Sequence, residues 1–262
     1  MHAYLVKFVY ALGLYPLARR FRMWMDHHSP GAVKRRQALC RFYSKFVKDG
    51  DLCFDVGANV GDRTEMLLSL GASVVCVEPQ ADCVKVMRRR FRRNPKVAIV
   101  EKALGASEGT ADLHVCEYNP GITSLSTKWI SQSRYAAEYG WNRTVQVPVT
   151  TLDALIAQYG TPAFCKIDVE GFEDSVLAGL SQPVGCLSFE FRHEMLEEAF
   201  QCLHRAAALG PAQCNCTVFD AVETLYPDWS CAPELRQNLK ALSDPLLWGD
   251  IYVRFDGRAS PA

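Results

Sequence analysis

The chain has 262 residues, 49% of them hydrophobic and 22% charged, which suits one large domain or a domain with an appendage and excludes a disordered chain. No period of 20–50 residues recurs, and the 17 Gly and 13 Pro follow no repeating spacing, so repeat arrays and collagen-like architectures are excluded as well. The formal net charge is zero, but residues 1–50 hold four Lys and six Arg against Asp26 and Asp49, so the remainder is acidic.

This asymmetry divides the chain into a basic N-terminal helical extension, 1–50, and a body, 51–262. Residues 3–18, AYLVKFVYALGLYPLA, are mostly apolar but interrupted by Lys7 and Pro16, too short to span a bilayer. They read as one or two helices packed on the body, or as a helix lying on a membrane surface. Peripheral membrane contact through residues 1–50 follows from the second reading. Residues 33–49 have helical spacing, with Gly50 as the stop.

The body then alternates. Leu52–Val56 reads as a buried strand, 62–70 as a helix, Ser73–Val77 as a strand, 80–93 as a helix broken by Asn94-Pro95, and Val97–Val100 as a strand. That rhythm argues for a parallel sheet with right-handed crossovers. Thr110–Cys116 and Thr144–Val149 alternate like half-exposed strands, which predicts an inserted antiparallel hairpin with a long polar loop over 117–140. A helix runs to Tyr159. Phe164–Val169 is a strand, 172–180 a helix, Cys186–Phe191 a strand and 193–208 a helix. Thr217–Phe219 and Ile251–Phe255 are the last strands, with weak helical signals between them. The eleven Cys are scattered, without a Cys-x-x-Cys pair, as in a reduced cytoplasmic protein.

Ligands of open α/β sheets bind beyond the carboxyl ends of the strands. Three acidic turns fall there. Asp55-Val56-Gly57-Ala58-Asn59-Val60-Gly61-Asp62 has Gly-x-x-x-Gly spacing and no phosphate-cradling Lys. Gly57 lets backbone approach a ligand closely, and Gly61 packs the next helix on the strand. Glu78 ends the second strand, where a carboxylate can accept from a ribose diol. Lys166-Ile167-Asp168-Val169-Glu170-Gly171-Phe172-Glu173 places Asp168 and Glu170 two apart, on one side of an extended strand. Glu173 and Asp174 also suit the start of a helix. The run from Arg88 to Arg93 lies on a crossover helix; no nucleic-acid module accompanies it, and no nucleic-acid partner is expected.

FDVGANVGDRT, VEP, TLD and KIDVEGFE, in this order, resemble the FkbM family of S-adenosylmethionine-dependent methyltransferases over Leu52 to Phe191. The resemblance implies a Rossmann-like class I methyltransferase fold, a mostly parallel seven-stranded sheet whose last strand is antiparallel. It implies O-methylation of a hydroxyl on a sugar, glycan or natural product, with S-adenosyl-L-methionine as cofactor. Asp55 and Gly57 would border its methionine part, Asn59 and Asp62 its ammonium or carboxylate, and Glu78 its ribose. The stretch of Glu101, Lys102, Ala103 and Leu104 would lie beside the adenine and Asp168 beside the sulfonium. Thr123 and Ser124 resemble the family's small polar loop near the substrate.

A hydroxyl acceptor needs its proton removed as the new bond forms. Asp168 is the first candidate base, with Glu190 and His193 as the second pair. Glu170 would orient substrate or share a divalent cation with Asp168; the sequence leaves a metal and a proton both open. Two rival functions are a nicotinamide-dependent oxidoreductase, which also carries an acid after its second strand, and a non-catalytic scaffold held at a membrane by the basic arm.

Overall fold

The computed structural model describes residues 29–219 and 221–255. The apolar stretch 3–18 therefore lies outside the described residues. The first element is α1, Pro30–Tyr43, opened by Ser29, whose Oγ accepts from the Ala32 amide, with Pro30 at the first helical position. It ends seven residues before Gly50. The amide of Ser44 caps the Cys40 and Phe42 carbonyls, and the chain turns so that Phe42, Tyr43 and Val47 all bury. The Phe42 ring meets Tyr252 edge-on at 5.3 Å, and Tyr43 meets Phe164 at 5.4 Å.

Two βα steps and a third strand follow: β1 (Leu52–Val56), α2 (Asp62–Ser69), β2 (Ser73–Val77), α3 (Ala81–Arg90) and β3 (Val97–Val100). The insertion holds β4 (Ala103–Leu104), β5 (Gly109–Val115), a 3-10 turn at Pro120–Ile122, α4 (Thr127–Gln132) and β6 (Arg143–Thr150). The fold resumes with α5 (Leu152–Tyr159), β7 (Phe164–Ile167), α6 (Glu173–Ala178), β8 (Cys186–Arg192), a 3-10 turn at His193–Met195 and α7 (Leu196–Ala208). It closes with β9 (Ala212–Val218), α8 (Ala232–Lys240) and β10 (Trp248–Phe255).

The main sheet has the order β3-β2-β1-β7-β8-β10-β9. Its first five strands are parallel, and β10 lies antiparallel between β8 and β9. The expected seven strands with an antiparallel last strand are thus observed. The chain reverses lateral direction between β1 and β7, which makes their carboxyl ends the switch point where a ligand crevice opens. The insertion is a small sheet, β4-β6-β5, whose β5–β6 hairpin pairs Gly109 with Val149 through Val115 with Arg143.

Alternation along the strands builds two cores. Cys53, Val74, Phe164, Cys186 and Tyr252 face α1, α2 and α3. Phe54, Val75, Cys165, Leu187 and Ile251 face α5 to α8. Helices α1 and α2 run parallel, since Arg36 pairs with Glu65 and Cys40 Sγ with Ser69 Oγ, the same 29-residue offset. All eleven cysteines are free thiols and nine are buried as small apolar groups.

Candidate active site

A cavity opens at the carboxyl ends of β1, β2 and β7, roofed by the loop after β5. Gly57, Asn59, Glu78, Gln80, Ala103, Thr123, Ser124, Asp168 and Glu170 all line it, with Lys102 and Leu104 beside Ala103. The structure thus brings together three acidic turns separated by more than a hundred residues.

Gly57 sits where the ends of β1 and β7 meet. Its φ is 78°, and a Cβ there would lie 1.8 Å from the Asp168 carbonyl oxygen. The ends of β1 and β7 close on each other here, with the Asp168 amide donating to Val56 O at 2.9 Å. Only glycine satisfies both the left-handed backbone and this approach.

Glu78 is 3% exposed. Its Oε2 accepts from the Asn59 amide and its Oε1 from the Gln80 amide, each at 2.8 Å. Burial pushes the carboxyl up to about 7 despite these two donors. A carboxylate offers about four lone-pair sites, so two remain for hydroxyl donors from a ligand. The Asn59 amide is aimed by a left-handed φ of 51°.

The acidic turn after β7 converges by a route different from the expected one. The strand ends at Ile167, so Asp168 and Glu170 do not share the side of one extended strand. Instead Glu170 and Gly171 take consecutive left-handed conformations, φ 56° and 85°. This folds Glu170 back, and one carboxylate oxygen each of Asp168, Glu170 and Glu190 lies within 4.8 Å of the other two. Burial and the neighbouring Glu190 and Asp168 carboxylates raise Glu170 well above the usual carboxylate range; Glu190 is pushed to about 8 by burial, then by Asp168. Glu170 Oε2 is buried without a hydrogen bond, 3.9 Å from Arg192.

Two cations hold the cluster. Lys166 Nζ lies 3.5 Å from Asp168 Oδ2 and 2.9 Å from Asp250 Oδ1, and Arg192 lies 3.0 Å from Glu190 Oε1. The Arg192 guanidinium also faces the rings of Trp129 and Tyr135, at 5.1 and 5.4 Å. Both rings belong to the loop between β5 and β6. Ser124 ties the same loop down, its Oγ donating to Glu170 O at 2.6 Å.

Four expected site residues stand elsewhere. Asp55 lies below the cavity, its carboxylate accepting from Thr64 Oγ1 at 2.6 Å. Gly61 caps α2 at φ 86° and approaches the ring of Phe91, just after α3, rather than the strand. Asp62 pairs with Arg90, and His193 sits in the 3-10 turn after β8, its amide bonded to Leu247 O. Glu173 is spent on structure: its Oε1 accepts from the Val169 amide at 3.0 Å at the start of α6. Sequence reasoning missed Gln80, Trp129 and Arg192. Arg192 carried a readable signal, since it is two residues beyond Glu190 on one strand face.

A sheet of this order, with its cleft at the β1–β7 reversal, has the class I methyltransferase architecture. The model of the methyltransferase FkbM domain matches residues 55–209, more than half of the chain. The chain belongs to this family and is an S-adenosylmethionine-dependent methyltransferase. Solved structures with similarity include a precorrin-6y C5,15-methyltransferase from Geobacter metallireducens, at 12% identity, TM-score 0.41, covering 84% of this chain and 87% of that one. A TehB-like SAM-dependent methyltransferase from Corynebacterium glutamicum has 11% identity, TM-score 0.44, and 91% and 96% coverage. The curated proteins hold no match.

Proposed function

We propose that the chain methylates a hydroxyl oxygen of a sugar, glycan or related natural product. The convergence of Asp168 and Glu170, which line the cavity, with Glu190 carries this reading. When bound, S-adenosylmethionine supplies a methyl group on a good leaving group, so the protein's work is alignment and proton removal. Glu78 holds the ribose hydroxyls, while Asn59 and Gly57 border the methionine part. Asp168 is the base. Its side chain is 39% exposed, more than those of its two partners, and faces the cavity. Asp168 would take the acceptor's proton as its oxygen receives the methyl group that the bound donor would supply. The products are a methyl ether and the neutral thioether.

Glu170 and Glu190 suit the orientation of neighbouring hydroxyls, because buried carboxyls that hold a proton both donate and accept. Thr123 and Ser124 complete the acceptor wall. A divalent cation is the second reading, favoured by the same 4.8 Å spacing, although Lys166 and Arg192 already compete for the carboxylates. Family membership sets the nicotinamide reading aside, and eleven free thiols support a cytoplasmic location.

The test is calorimetric titration with S-adenosylmethionine, followed by a transfer assay on sugar acceptors with and without a chelator. Asp168→Asn should retain donor binding and lose 10²–10⁴-fold in turnover, roughly the worth of a general base. Unchanged turnover removes Asp168 from the base role. Transfer only to amines replaces the oxygen acceptor by nitrogen, and loss of turnover on chelation favours the cation.

A further inference from the structure

The two faces of the sheet differ in charge. Helices α1, α2 and α3 share one core and carry nine Lys and Arg against Asp62, Glu65 and Asp82. Helices α5 to α8, on the other face, carry three Lys and Arg against six Asp and Glu. The imbalance seen along the sequence is therefore an imbalance across the fold. On the α1–α3 side, Lys34, Arg41, Lys45, Arg89, Arg92 and Arg93 are exposed, and none has an ion-pair partner among the described residues. Arg36 and Arg90 pair with Glu65 and Asp62 within the layer, and Arg88 pairs with Glu101 just beyond β3.

The sequence that leads into this face is apolar. Residues 3–18 are followed by Arg19, Arg20 and Arg22, and the chain enters α1 at Ser29. The 29-residue offset between α1 and α2 sets Val33 level with Asp62, at the start of α2. Ser29 thus stands at the carboxyl edge of the sheet, the edge where the cavity opens. A basic face preceded in the sequence by an apolar stretch matches the two attractions of an anionic bilayer, headgroup charge and acyl interior. Nucleic acid would use the charge but not the apolar segment, and no aromatic ring is exposed on α1–α3 for base stacking. No described helix is long and apolar enough to cross a membrane.

We propose that the α1–α3 face docks on an anionic lipid surface. The inference does not rest on the acceptor or on the base, and binding can be read without the reaction.

The full-length chain would be sedimented with vesicles of phosphatidylcholine, with and without phosphatidylserine, at low and high salt. The expected result is binding to anionic vesicles that falls with salt and little binding to neutral ones. The variant Arg89→Gln/Arg92→Gln/Arg93→Gln lies at the end of α3, away from the cavity. Each lost charge should weaken binding about fivefold, so the triple variant about 100-fold, with donor affinity and melting temperature unchanged. Equal binding to neutral vesicles, or equal binding by a folded triple variant, overturns the proposal. Tighter binding to duplex DNA or mixed-sequence RNA than to anionic vesicles would reassign the face to nucleic acid.

Discussion

Lys166 and Asp250 form an ion pair that crosses a whole strand. Lys166 is on β7 and Asp250 on β10, with β8 between them, yet Nζ and Oδ1 are 2.9 Å apart. The lysine is 1% exposed. Burial alone would lower its pKa, but Asp168 and Asp250 outweigh that and hold it raised. It therefore keeps its charge, and the third member of the group is the proposed base.

Lys166→Met leaves two carboxylates facing each other without their cation. The expected cost is about 3–5 kcal/mol, read as a lower denaturation midpoint. Lys166→Met/Asp250→Leu should recover part of that loss. A double variant no more stable than the single one would show that the pair is not the source of the cost.

Gly57→Ala should be among the most damaging single-methyl additions in the chain. The new Cβ meets backbone, the Asp168 carbonyl, which no rotamer change relieves. About 3 kcal/mol or more from overpacking and a positive φ is expected, together with loss of donor binding. Thermal melting and calorimetry on the same sample would check both.

Glu78 predicts a pH dependence. Its folded pKa of about 7 exceeds its ordinary 4.5, because burial disfavours the charge. Its contribution to stability is thus present below about pH 4.5 and is lost as pH rises through about 7. Donor binding has the opposite slope, since ribose hydroxyls donate to the ionised carboxylate. Affinity for S-adenosylmethionine should tighten between pH 6 and 8, roughly the range set by that pKa. Glu78→Gln should bind at least about tenfold more weakly and lose the slope, as one charge-assisted hydrogen bond is worth roughly 1.5–3 kcal/mol. A slope that survives in Glu78→Gln would assign it to another group.

Trp129→Ala should separate the two substrates. The ring packs between Gly171 and Arg192 at the acidic cluster but does not line the donor cavity. The variant should raise the acceptor KM while changing donor affinity less than about threefold, with roughly 3 kcal/mol lost in stability. An equal effect on both would mean that the loop after β5 supports the donor cavity as well.

Strands β1, β2 and β3 were legible residue for residue, because each is a short, mostly apolar run closed by Gly, Glu-Pro or a polar turn, and β1 and β2 are buried on both faces. Strand β9 was not. Asn215 interrupts its apolar pattern, yet it is fully buried and bonds its side chain to the Tyr226 and Asp228 carbonyls, a long-range satisfaction that no local pattern reveals. Short α4 was lost in a polar loop for a related reason: Trp129 buries there only because Gly171 and Arg192, far along the chain, receive it. In the site, residues that act through their own turn, such as Gly57 and Glu78, were readable. The meeting of Glu170 with Glu190 depended on two left-handed residues and on β8, which sequence spacing could not place.

The β5–β6 hairpin enters and leaves the main fold at two neighbouring points, β4 and β6, which pair with each other as Ala103–Val149 and Leu104–Thr150. The span between Val115 and Arg143 starts from that base, is fastened at its near end by the His114–Ser124 bridge, and rests on the main fold through Ser124, Trp129 and Arg134. The donor cavity draws most of its walls from outside this span. The hairpin is thus a graft junction: exchanging its distal 27 residues for those of a relative would change only the roof of the donor cavity, Pro120 to Leu125, and leave its other walls as they are. New acceptor preferences could arise by swapping a single continuous stretch of sequence, without redesign of the enzyme.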